Sequence, residues 1–146
     1  MAVTPRLVVP LLAALLAGRA DAAVPAPSLG AVERALENGR SVTVLLDLSQ
    51  CHPGSTDSKP TRTRGGLRID AFRIGDDGSL AFSDDHFTID RDGKPIQQFL
   101  RYRIHQDGSA DFSMTVFSVP DFRQIRATLS YKCAVNRGMR FVASRR

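Results

Sequence analysis

The dipeptide Asp-Gly recurs at a fixed interval, Asp77-Gly78, Asp92-Gly93 and Asp107-Gly108, fifteen residues apart each time. Asp-Gly favours the positive φ angles that tight reversals between antiparallel strands need, so each pair marks a hairpin. The segments between and after these turns alternate as half-buried strands do. Ile96, Leu100, Tyr102 and Ile104 share one face against Gln97, Arg101 and Arg103, with Phe99 breaking the pattern. Ala110, Phe112, Met114 and Val116 form a second stripe. Ile125, Ala127, Leu129, Tyr131, Cys133 and Val135 form a third, opposite Arg126, Thr128, Ser130 and Lys132. The segments share little beyond the turn, so hairpins of one sheet explain the spacing better than a repeat array. The turns also fail as EF-hand loops. Neither Gly75-Asp76-Asp77-Gly78 nor Asp90-Arg91-Asp92-Gly93 continues into the calcium-ligand pattern that closes on a glutamate.

Upstream, Ser28 is placed to cap a helix whose Leu29, Val32, Ala35 and Leu36 fall on one face, and Gly39 ends it. Ser41–Leu48 is β-branched and apolar on both faces, as in a strand covered by that helix on one side and by more protein on the other. From Gln50 to Arg64 the composition turns to Pro, Gly, Ser, Thr and Lys without period, which predicts the longest loop of the chain. Gly66–Ile74, Leu80–Phe82 with Phe87–Ile89, and Met139–Ala143 bring the expected strands to about seven. The polar Ser83-Asp84-Asp85-His86 between Phe82 and Phe87 reads as a turn or bulge. The expected fold class is α+β, with an N-terminal helix packed on a curved, mainly antiparallel meander sheet or partly closed barrel.

The run Leu7–Ala17, with a short charged start before it and Ala20-Asp21-Ala22 after it, reads as a secretory signal over residues 1–22, leaving one domain over 23–146. Eleven residues fall short of the about 20 that span a bilayer as a helix. The expected product is periplasmic or secreted rather than an integral membrane protein. Cleavage near Ala22 removes Arg6, Arg19 and Asp21 and lowers the formal net charge from +5 to +4. Cys51 and Cys133 then remain, and in an oxidising compartment they are expected to form a disulfide. Redox pairs usually sit as C-x-x-C, a spacing this pair lacks.

No metal or cofactor is expected, because His52, His86 and His105 lack any paired ligand spacing. Asp84, Asp85 and His86 form a local group with both acid and imidazole, so they are the candidates for acid–base catalysis. Arginines gather at Arg62, Arg64 and Arg68, on the outward face at Arg101 and Arg103, and near the C-terminus. Interspersed acids and the lack of tryptophan argue against nucleic acid. Arg62, Arg64 and Arg68 are therefore the candidate contacts to an anionic envelope or host component.

Several segments together resemble one family. They are the helix Ala31–Asn38 before Gly39, Asp47-Leu48-Ser49-Gln50-Cys51, Gly65-Gly66-Leu67 running to Ile74, Phe82-Ser83-Asp84-Asp85-His86-Phe87-Thr88, and Tyr131-Lys132-Cys133. In this order and at this length the chain resembles the VirK family of small exported proteins. The resemblance implies an exported product, some members lying in virulence regions of plant-associated bacteria, and no agreed biochemical activity, so no catalytic residue carries over. The expected function is a non-enzymatic binding or interaction module linked to host association. The alternatives are a hydrolase of an envelope or host polymer, using Asp84, Asp85 and His86, and a small apolar-ligand carrier inside a curled sheet.

Overall fold

The structure, a computed structural model, describes residues 27–144; the expected signal segment and Arg145-Arg146 lie outside the described residues. The elements are α1 (Leu29–Glu37), β1 (Val42–Asp47), a single 3-10 turn at Leu48–Gln50, β2 (His52–Pro53), β3 (Arg64–Arg68), β4 (Arg73–Ile74), β5 (Leu80–Ile89), β6 (Pro95–Ile104), β7 (Ser109–Ser118), β8 (Leu129–Val135) and β9 (Gly138–Ala143). Seven strands have five residues or more, and β2 and β4 have two each. The sheet runs β3-β1-β9-β8-β7-β6-β5-β4, with β2 beside β8. Among the described residues no helix is long and apolar enough to cross a membrane.

The fifteen-residue interval is ten residues of strand plus five of turn, as in β5, Asp90–Lys94 and β6. All three turns close alike. The first turn residue donates its N–H to the residue four on, and glycine donates back to that first residue: Gly75 with Ser79 and Gly78, Asp90 with Lys94 and Gly93, His105 with Ser109 and Gly108. Only the glycines take positive φ, +69°, +76° and +82°. These are three-residue loops with a glycine bulge, rather than two-residue turns that would force aspartate to positive φ as well. Aspartate instead works through its side chain. Asp77 and Asp107 accept from the N–H and hydroxyl of Ser79 and Ser109, which holds the turn against the next strand.

Several expectations need correction. Ser83–His86 is neither turn nor bulge but the middle of the unbroken strand β5, whose residues all pair with β6; cross-strand pairing on both ends outweighs the polar interruption. Gly66–Ile74 is two short strands on opposite edges of the sheet. Ile125 is exposed and β8 begins only at Leu129. Ser28 occupies the N-cap position of α1, yet its side chain makes no capping bond. The Gln50–Arg64 loop holds β2 and is clamped to β8: Gly54 N–H donates to Ser130 O (2.8 Å), Ser130 N–H to Ser58 Oγ (2.7 Å), and Tyr131 OH to Lys59 O (2.8 Å). Nor is the sheet a plain meander. β9 turns away from β8 after two parallel pairs and runs antiparallel to β1, which itself pairs with β3.

That crossing curls the sheet into a half-barrel. Its two outer strands, β3 and β4, are joined by only Ile69–Phe72, so the edges cannot lie far apart. The concave face is laid down in rows set by register. Leu80, Ile104, Ala110 and Cys133 form the deepest row and are buried. They pack with Val32, Ala35 and Leu36 of α1, Val42 and Val44 of β1, and Met139 and Phe141 of β9. Gly39 at φ +68° closes α1, with Gly39 and Arg40 N–H donating to Leu36 and Ala35 carbonyls. Cys51 and Cys133 are joined as a disulfide over a sequence separation of 82.

Candidate functional site

The second row of the concave face is aromatic. Phe82, Tyr102, Phe112 and Tyr131 lie opposite one another on β5, β6, β7 and β8. Their rings follow at 4.8, 5.1 and 6.4 Å, the first pair stacked and the others tilted. All four are buried. Burial pushes the Tyr102 phenol up to about 12, with the nearby Asp84 carboxylate adding to the rise.

Above this floor the packing opens into a cavity of about 430 Å³. The third row, Asp84, Leu100, Met114 and Leu129, and the first residues of the fourth, His86 and Gln98, line one wall. Leu46, Leu48 and Leu67 from the β1 and β3 side line the other, with Thr61 and Thr63 beside them. Strand alternation explains the mixture. Every second residue of β5 faces inward, so the run that buries Phe82 must also present Asp84 and His86 to the cavity. Their side chains are 3.7 Å apart (Oδ2 to Nδ1) and about half exposed, 44% and 48%. Asp85 faces the opposite side and accepts from Gln97 Nε2. The three candidate acid–base residues are thus divided, two in the cavity and one outside.

The candidate basic contacts are partly occupied. Arg64 Nε lies 3.0 Å from Asp47 Oδ2, and Arg68 Nε lies 2.7 Å from Asp70 Oδ1. The Ser49 hydroxyl, and less strongly Arg64, hold the Asp47 carboxyl below the usual carboxylate range. Among the described residues Arg62 has no ion pair, and no group of three His, Cys, Asp or Glu side chains is placed to hold a metal. The cavity itself is not visible in the sequence as a site, because its walls read as ordinary strand stripes. The available signal was the inward parity of Asp84 and His86 with Phe82, which the expected bulge concealed.

A family model described as VirK protein matches residues 25–122. Two relatives are 53% identical. One is an uncharacterized protein in the pinF2 3′ region of Rhizobium radiobacter, matched over 116 residues and 80% of each chain. The other is the uncharacterized protein y4wH of Sinorhizobium fredii, matched over 113 residues, 77% of this chain and 78% of that one. The crystal structure of lpg1832, a VirK family protein from Legionella pneumophila, superposes with a TM-score of 0.70 at 18% identity, over 79% of this chain and 95% of that chain. That likeness establishes a shared fold. From the family match, which covers most of the chain, and from these relatives, the protein belongs to the VirK family.

Proposed function

We propose that this chain is an exported, non-enzymatic binding protein whose half-barrel holds a small amphipathic ligand. The ligand's apolar body lies against Leu100, Met114 and Leu129 over the aromatic floor, and its polar head meets Asp84, His86 and Gln98. The cavity carries this reading. Its volume of about 430 Å³ falls within the roughly 300–1,000 Å³ of small-molecule sites, which likewise join apolar walls to a few convergent polar groups. Export is supported by the Leu7–Ala17 run and by the disulfide, a bond that persists in oxidising compartments.

A hydrolase would use the Asp84–His86 pair, which does share the cavity. Besides the buried tyrosines, however, the lining offers that pair only the Thr61 and Thr63 hydroxyls, Asp85 is turned away, and leucine and methionine make up much of the walls, so binding is the better supported function. The test is titration with a neutral apolar dye, N-phenyl-1-naphthylamine, followed by fluorescence. Saturable binding is expected, and Met114→Trp, which fills the cavity, weakens it by about tenfold or more, the scale of losing a buried apolar contact. Val142→Trp, placed on an exposed position of β9, leaves it unchanged. A folded Met114→Trp protein that binds dye as the parent does would sink the proposal.

A further inference from the structure

The convex face of the same strands carries a second concavity, a groove of about 530 Å³ under the Ala71–Arg73 segment. Register places Arg101 of β6 between Ser83 of β5 and Ser113 of β7, all pointing outward, with Ala81 and Arg103 in the next row. Arg73 and Phe72 close the groove from the β4 side.

The charges around it are unevenly committed. Arg103 is held by Asp77 (2.6 Å) and by Ser79 Oγ (3.2 Å). Asp111, the carboxylate of the groove, has both oxygens occupied, one by His105 Nε2 at 2.9 Å and the other by Lys132 Nζ at 2.5 Å. Among the described residues Arg73 and Arg101 make no ion pair, and the hydroxyls of Ser83 and Ser113 make no hydrogen bond. Two guanidinium groups and two hydroxyls thus line one concavity without an acceptor. Guanidinium presents paired N–H donors that match phosphate and sulfate oxygens.

We infer that this groove binds a phosphate or sulfate ester, its oxygens taken by Arg101, Arg73, Ser83 and Ser113 and its carrier lying over Ala81 and the exposed Phe72 ring. The site is separate from the concave cavity and does not depend on it. It also differs from the Arg62, Arg64 and Arg68 cluster, where two of the three guanidinium groups already hold carboxylates.

The experiment is an NMR titration of isotope-labelled protein with sodium phosphate at constant ionic strength. Parallel titrations use glucose 1-phosphate, and cosedimentation uses vesicles of phosphatidylglycerol against phosphatidylcholine. Saturable shifts are expected at Ser83, Arg101 and Ser113. Arg101→Gln weakens phosphate by about tenfold or more, as loss of a charge-assisted contact should. Ser113→Ala weakens it less, while Arg68→Gln and Val142→Trp have no effect. Tighter binding of glucose 1-phosphate identifies a soluble ester as the source, and selective pelleting with phosphatidylglycerol that Arg101→Gln abolishes identifies a lipid headgroup. Shifts that stay linear in phosphate, that centre on Arg62–Arg68, or that survive Arg101→Gln overturn the inference.

Discussion

The two halves of the half-barrel are built on opposite principles. In β5 to β8 each strand pairs with its neighbour in sequence, and β5 and β6 match over all ten residues across a five-residue turn. In the other half β1 pairs with β9, Val42 opposite Ala143, and with β3 across a long loop. From β4 through β7 that half is specified by local chemistry repeated three times, an aspartate, a positive-φ glycine and an alternating strand, while β7 reaches β8 through the longer connection 119–128. The second must close large loops before any contact forms, and loop closure costs entropy that only later contacts repay. A covalent bond stands at this junction. The Cys51–Cys133 disulfide ties the end of the β1 segment to β8, and Gly138 at the start of β9 packs against it.

Removing that bond is the strongest way to test the contrast. A Cys51→Ala, Cys133→Ala double variant is expected to lose about 4 kcal/mol of stability, the chain-entropy value for a loop of this size, measured by denaturant unfolding. Hydrogen exchange should show where the loss falls. Protection is expected to drop first in β1, β3 and β9 and to persist in β5, β6 and β7. If all strands lose protection together, the halves are one cooperative unit and the contrast is only topological.

The same contrast governs what the sequence discloses. The hairpins, the inward Cys133 and the outward Arg101 and Arg103 follow from period and turn chemistry, which act over a few residues. Phe99, which breaks the inward stripe, sits on the outer face edge-on to Phe117 at 5.5 Å, a cross-strand partner that period alone does not name. The insertion of β1 and β9 into one sheet is invisible for a stronger reason: nothing local to Val42 specifies Ala143. Both concavities share that difficulty. Asp84 and Leu46 meet only after the sheet has curled, and Arg101 and Phe72 only once β4, β5 and β6 have paired. Ion pairing shows it too, since Asp47 lies opposite Arg64 only in the β1–β3 register.

Glycine substitutions separate the halves on a finer scale. Gly93 has φ +76° and open space where a Cβ would go, so Gly93→Ala carries only the left-handed penalty of about 1–2 kcal/mol. Gly138 has φ +89°, and a Cβ there meets Cys51 Sγ at 2.6 Å, Gln50 O at 3.3 Å and Asp47 O at 3.4 Å. Gly138→Ala is expected to cost that penalty plus a further 1–3 kcal/mol or so of overpacking. Equal midpoints for the two variants in urea would show that the corner yields as easily as a turn.

The smallest effect concerns a device both halves share. Asp47-Leu48-Ser49 at the corner and Asp77-Gly78-Ser79 in the first hairpin use one carboxylate oxygen to accept from the serine N–H and hydroxyl two residues on. In each, the second oxygen meets an arginine, Arg64 or Arg103. The Asp77 carboxyl falls to about 2, chiefly through the Ser79 hydroxyl and N–H and only then through Arg103. A carboxyl whose pKa is lower folded than unfolded stabilises the fold above its unfolded value near 4. That contribution is lost as the pH falls through about 2. Carbon NMR of the side chain should therefore show Asp77 titrating near 2, Ser79→Ala raising it strongly and Arg103→Gln raising it less. The reverse order would mean that the ion pair, which salt screens, holds the turn, whereas a serine-dominated shift persists in high salt.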